Sequence, residues 1–133
     1  MSDIDLRGAK LFAGLPEKDV KKMSAQFKEV THLSGKKLTV TGEHGVGFMV
    51  ILSGEAEVHT HDGRVRKLGP GDSFGEMALL SEGERSADVT AVTDVHMAGI
   101  PEWDFKSFLI AHPEVCYRML QATAQRLRES EES

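Results

Sequence analysis

The chain has 133 residues, 40% hydrophobic and 28% charged, with a formal net charge of −5, the size and make-up of one globular domain over 1–133. Lys and Arg total 16 against 21 for Asp and Glu. That negative excess repels the phosphates of nucleic acid and of anionic lipid, and argues against both as partners of the whole molecule. The strongest apolar stretch, Val46 to Leu52, falls well short of the roughly 20 residues that a bilayer span needs.

At the N-terminus, Met-Ser-Asp-Ile-Asp-Leu places acidic residues where a secretory signal carries positive charge, so no targeting segment is expected. The single cysteine, Cys116, closes no internal disulfide, and a cytoplasmic location is expected. Cys116 itself reads as a small packed helix residue. Pro16 and Glu17 suit a first helical turn, and Val20, Met23 and Phe27 follow at i, i+3 and i+7. This predicts an amphipathic helix within an N-terminal helical region over 1–28.

The middle of the chain changes character. Gly35, Gly42, Gly45, Gly47, Gly54, Gly63, Gly69, Gly71, Gly75 and Gly83 crowd into it, and the segments between them are β-branched or alternating. Strands are predicted at Lys37 to Thr41, Phe48 to Leu52, Glu55 to Thr60 with Ala56 and Val58 inward, and Val65 to Leu68. Two more follow at Ala87 to Val92 and Val95 to Ile100. Short strands between frequent turns indicate an all-β sandwich, roll or barrel over 29–100, and Asp62-Gly63 is a hairpin signal.

Pro101 opens a second helix carrying Phe105, Phe108 and Leu109, and His112-Pro113 breaks it. Trp103 is expected to pack. A third helix, Glu114 to about Ser130, completes the C-terminal helices over 101–130. It carries two apolar stripes, Cys116, Leu120, Ala124 and Leu127 on one face and Val115, Met119 and Ala122 on another. One stripe can pack on the β core; the other is left for a partner helix or for the protein's own N-terminal helices.

The chemistry concentrates in Gly71-Asp-Ser-Phe-Gly-Glu-Met-Ala-Leu-Leu-Ser-Glu-Gly-Glu-Arg-Ser-Ala-Asp-Val-Thr-Ala91. Gly75 lets the backbone approach a ligand, and Glu76 to Leu80 are good helix formers whose free N–H groups favour an anion. Arg85 adds a permanent cationic fork suited to phosphate oxygens, and Ser86 a hydroxyl donor. A carboxylate such as Glu76 needs a donor of its own beside that anion, and a ribose hydroxyl would serve. Together these residues describe a phosphate cradle.

This ordered set resembles the phosphate-binding cassette of the cyclic nucleotide-binding domain family: Phe74-Gly75-Glu76, then Met77-Ala78-Leu79-Leu80, then Arg85-Ser86-Ala87. Leu11-Phe12-Ala-Gly-Leu15-Pro16 is similar to the family's N-terminal helical segment, and Gly35, Gly42, Phe48 and Gly54 to its roll glycines and core aromatic. The resemblance implies a mainly β fold, a β-roll of the double-stranded β-helix (jelly-roll) type, with N-terminal helices, two C-terminal helices and the cassette at 74–87. It also implies a ligand, cyclic AMP in preference to cyclic GMP, and no metal.

Carried over, the family's motif puts Arg85 on the exocyclic phosphate oxygens, with backbone N–H groups of Ala78, Ser86 and Ala87 sharing the anion. Glu76 accepts from the ribose 2'-hydroxyl, with Gly75 and Met77 alongside. On the final helix Arg126 is implied beside Glu76, and Ser130 at the base. Glu84 and Asp88 depart from the commonest pattern by adding negative charge nearby, and the chain ends where family members usually continue into an output segment. The expected function is a stand-alone receptor that signals to an effector protein in trans through its last helix, with a homodimer through that helix as a further expectation.

Two other readings stand beside it. One is the same fold as a nucleotide-free protein-interaction module. The other is a cupin-like metal enzyme using His59 and His61, two apart on a strand. Against the latter, Arg64-Val-Arg-Lys67 supplies cations where that pattern wants a carboxylate. No Ser or Cys stands in a catalytic signature, so an enzyme is not expected.

Overall fold

The computed structural model describes residues 6–39, 47–60, 63–75 and 87–132. A 3-10 turn, Lys10–Phe12, and helix α1, Glu17–Ser24, precede the strands β1 (Lys28–His32), β2 (Lys37–Thr39), β3 (Gly47–Ser53), β4 (Ala56–Thr60), β5 (Val65–Leu68), β6 (Ser73–Phe74), β7 (Ala87–Ala91) and β8 (Val95–Pro101). Helices α2 (Glu102–Ala111) and α3 (Pro113–Glu132) close the described chain. The strands form two antiparallel sheets, ordered β1-β8-β3-β6 and β2-β7-β4-β5. Among the described residues no helix is long and apolar enough to cross a membrane.

Strand periodicity explains how one sheet serves two cores. Successive side chains of a strand point to opposite faces, so β3, which reads Gly-Phe-Met-Val-Ile-Leu-Ser, is an apolar run because both its faces are covered. Phe48 and Val50 join Ala98 and Ile100 of β8 in a core under the helices, completed by Phe12, Val20, Met23, Phe27, Phe105, Phe108, Val115 and Met119. Ile51 of β3 and Val95 and Met97 of β8 turn the other way and meet Ala56, Val58, Leu68, Phe74, Val89 and Ala91 between the sheets. Ala56 and Val58 are buried as their alternation predicts.

Four sequence expectations need correction or refinement. Helix α1 ends at Ser24, where Gln26 and Phe27 donate to the carbonyls of Met23 and Ser24 in a closing turn. Phe27 is therefore buried from the turn that follows the helix rather than from the helix itself. Strand β1 carries no apolar alternation, because its Lys-Glu-Val-Thr-His sequence is that of a polar sheet edge, exposed or half-buried throughout.

Trp103 does not pack: it is 79% exposed. Phe105, Phe108 and Leu109 set the buried face of α2, and at about 100° per residue Trp103 lies on the opposite side, with exposed Ile110 seven residues along. On α3, Val115 and Met119 pack on the core while Leu120 and Leu127 are each 61% exposed. The second stripe thus does not rest on the protein's own N-terminal helices. Half-buried Cys116 packs against the first core from the border between the two stripes.

Candidate functional site

The cassette 74–87 is described at its two ends. Phe74 finishes β6, buried and paired with Met49 of β3. Gly75 follows with φ of 103°, a backbone conformation in which a side chain is strained and glycine is at ease. Ala87 begins β7 and pairs with Thr60 of β4. Since β6 and β7 belong to different sheets, the segment between them runs from one sheet to the other. Residues 76–86 lie outside the described residues, and with them Glu76, Met77, Ala78, Arg85 and Ser86. Ala87 and Ser130 are described in their backbone only.

Asp88 can be placed. Its neighbour Val89 is buried between the sheets, so strand alternation puts Asp88 on the outer face of its sheet, in register with exposed His59. It is therefore not an inward charge. His59 Nε2 lies 3.4 Å from Glu57 on the same face of β4, while His61 lies outside the described residues. Among those described, no three His, Cys, Asp or Glu side chains gather as metal ligands.

The turn leading into the cassette is fixed from several sides. The Asp72 carboxylate accepts the Gly69 N–H at 2.8 Å, and the Asp72 N–H donates back to the Gly69 carbonyl at 3.0 Å. The Gly71 N–H donates to the Ile51 carbonyl and the Ile51 N–H to the Asp72 carbonyl, both at 2.8 Å. From the 3-10 turn, Lys10 Nζ reaches Asp72 Oδ1 at 2.5 Å, and the Lys10 N–H donates to the Gly71 carbonyl at 3.0 Å. A Cβ on Gly71 would stand 2.5 Å from the Gly8 carbonyl oxygen, so only glycine lets the two backbones meet here. Burial opposes ionisation of Asp72, but the Lys10 and Gly69 hydrogen bonds and the charges of Lys10 and Arg66 outweigh it, and its pKa lies below the ordinary value.

The joint between the last two helices is equally defined. His112 closes α2 through its N–H to the carbonyls of Phe108 and Leu109, and its own carbonyl accepts the N–H groups of Val115 and Cys116 in α3. The imidazole tilts against Phe108 with ring centroids 4.9 Å apart, and Nε2 meets Gln26 Oε1 at 3.1 Å. Burial first, and then the charge of Lys22, hold its pKa below the ordinary value, against an opposing effect of Asp19. Farther along α3, the Arg118 guanidinium donates to the Ala13 carbonyl. Arg126, half-buried, falls about 20° from Val115 at 100° per residue, on the core-facing side of the helix.

The sequence offers the cassette as an ordered motif, and carries less signal for the contacts that hold the turn before it. Gly69-Pro-Gly-Asp72 is a turn signature, whereas Lys10, 62 residues earlier than Asp72, carried no signal of its own.

Residues 29–112 match the family described as "Cyclic nucleotide-binding domain". The cyclic AMP receptor protein of Thermus thermophilus is 33% identical over 131 residues, 95% of this chain and 61% of that protein. A crystal structure of Thermus thermophilus catabolite activator protein aligns with a TM-score of 0.82 at 34% identity, covering 91% of this chain and 59% of that one. A cGMP-dependent protein kinase of Toxoplasma gondii is 34% identical over 98 residues, 74% of this chain and 10% of the kinase. The chain thus spans less than two thirds of the length of each of these three.

Proposed function

The chain belongs to the cyclic nucleotide-binding domain family, and on that premise we propose that it is a receptor for cyclic AMP, in preference to cyclic GMP, that signals in trans. Arg85 holds the phosphate together with the N–H groups of Ala78, Ser86 and Ala87. Glu76 takes the ribose 2'-hydroxyl, with Gly75 and Met77 beside it. Arg126 supports Glu76 from the core-facing side of α3, and Ser130 meets the base.

The observation that carries this reading is the seating of the motif between Gly75, with its left-handed backbone at the end of one sheet, and Ala87 at the start of the other. Consecutive backbone N–H groups and a guanidinium fork, which the motif supplies between these two points, are the donors that a phosphate anion calls for. Cyclic AMP is preferred because the relative matched along 95% of this chain is named for it. The cyclic GMP-named kinase matches a shorter part.

Output runs through α3, whose exposed stripe receives a second copy of the chain or passes the change to an effector protein. Ligand capture shifts the population of α3 positions in proportion to its different affinity for them. The test is thermal unfolding with cyclic AMP, cyclic GMP, AMP and a divalent metal in parallel. A specific ligand at 100 times its dissociation constant adds about 2.7 kcal/mol. Stabilisation by cyclic AMP above the others supports the proposal. No shift with either cyclic nucleotide, on protein whose ultraviolet absorbance shows none already bound, leaves a nucleotide-free interaction module.

A further inference from the structure

Among the described residues each sheet ends in two outer strands, and three of these four are blunted against pairing. Strand β6 has two residues, β2 has three and a shifted register, and β1 carries Lys28 and Glu29 of opposite sign. Strand β5 differs. It holds regular register with β4 from Val65 to Leu68, and among the described residues no strand pairs with its other edge. Arg64 just before it, and Arg66 and Lys67 within it, are all exposed cations in a chain whose net charge is −5.

Hydrogen-bond alternation fixes which backbone groups that edge offers. The Thr60 N–H donates to the Arg64 carbonyl at 3.0 Å. In the next antiparallel pair, His59 with Val65, the backbone groups therefore point away from each other, and they do so again at Glu57 with Lys67. The N–H and C=O groups of Val65 and Lys67 thus face away from β4. Val65, 55% exposed, and Lys67 share the outer face of the sheet with His59 and Glu57. Arg66 stands on the other face, where its charge acts on Asp72. Glu57, across from Lys67, has its carboxylate 3.4 Å from His59 Nε2.

We propose that the open edge of β5 is a docking site for an acidic, extended segment of a partner protein, which joins the sheet as a further strand. The outward backbone groups of Val65 and Lys67 pair with the main chain of the segment. Val65 gives it an apolar contact on the outer face, and the cations on both faces select carboxylates. Those cations repel a second β5, so a copy of this chain is not the occupant. A phosphate backbone or an anionic lipid surface would use the cations but not the two outward carbonyls.

The probe is a fluorescein-labelled, end-blocked heptapeptide that alternates Glu and Val, titrated into the full chain by anisotropy, with amide exchange followed by NMR. Binding is expected to weaken with added salt and to slow exchange of the Val65 and Lys67 amides. The Arg66 amide, already bonded to β4, is expected to keep its rate. Lys67→Glu turns an attraction into a repulsion and should weaken the peptide about fivefold or more. Val65→Pro removes one outward N–H and leaves the ladder to β4, since an edge strand tolerates proline on its open side; it too should weaken binding about fivefold or more. A peptide N-methylated at every amide keeps its carboxylates but cannot form the ladder. It is expected not to bind, and it makes the same test with the protein unchanged.

No binding up to about 1 mM peptide, wild-type affinity in Lys67→Glu, equal binding of the N-methylated peptide, or unchanged exchange of Val65 and Lys67 in the bound state overturns the docking strand. A single-stranded oligonucleotide or phosphatidylserine vesicles that bind more tightly than the peptide and release it overturn it as well, and assign the cations to phosphate.

Discussion

Phe27 and Phe108 meet edge to face, ring centroids 5.3 Å apart and planes at 88°. The contact joins the segment before β1 to the middle of α2. Phe27 is also set edge-on to Phe12 and Phe48, so one ring ties the 3-10 turn, a central strand and a C-terminal helix together. Phe108 is 1% exposed, and Phe108→Ala leaves a cavity in the core. Urea unfolding should show a loss of about 3–5 kcal/mol. Phe108→Leu should retain most of the stability, losing the edge-to-face term of about 0.5–1.5 kcal/mol along with a little volume.

That aromatic cluster also shows what could be read in advance. Phe105 and Phe108 announced themselves through helical spacing after Pro101, and the apolar run of β3 through its bounding glycines, because in each the local pattern and the tertiary burial agree. Phe27 continues the spacing of α1 but is delivered by the turn that ends it, since a period does not say where a helix stops. Trp103 departs from the expected burial because bulk predicts burial only on average; its position opposite Phe105 exposes it. The cassette was legible as an ordered motif. The contacts of Lys10 with Gly71 and Asp72 were not, because they join residues far apart in sequence and depend on how Gly71 lets two backbones approach.

Arg85 carries the sharpest functional prediction. A charge-assisted hydrogen bond is worth about 1.5–3 kcal/mol, and two of them to phosphate oxygens make Arg85→Ala weaken cyclic AMP binding by at least about a hundredfold. Arg85→Lys should recover only part of it, because an ammonium lacks the bidentate fork. Calorimetric titration reads the affinity, and an unchanged far-ultraviolet spectrum shows that the fold is intact. Wild-type affinity in Arg85→Ala would mean that the anion is held elsewhere.

Acidification should weaken the fold through two histidines. The pKa of His112 is lowered by burial and Lys22, and that of His32 by burial and Lys36. A folded-state pKa below the unfolded value near 6.5 means that the unfolded chain binds more protons, so stability rises with pH in this range. It is fully present above the unfolded value and falls as pH drops from about 7 towards 5. Urea midpoints should decline over that interval in the wild type and decline less in His112→Gln, which keeps a polar side chain near Gln26 without a titrating ring. His32→Gln should remove a further part of the slope. A slope identical in all three proteins would place the titrating groups elsewhere.

Tyr117, Leu120, Ala124 and Leu127 follow one another at spacings of three, four and three along α3, the alternation of a two-helix seam. Tyr117, Leu120 and Leu127 are each 61% exposed in the single chain, a cost in water that pairing with a second copy removes. Tyr117 rather than Cys116 lines the exposed stripe, because Cys116 turns partly onto the core. Light scattering should therefore give the mass of a dimer for the wild type. Leu120→Glu together with Leu127→Glu, which set like charges against each other across the seam, should give a monomer. Dimerisation also makes the melting temperature rise with protein concentration, a dependence the double variant should lose while Phe108 and the rest of the core remain packed. A wild-type chain that stays monomeric at high micromolar concentration would assign the stripe to the effector protein instead.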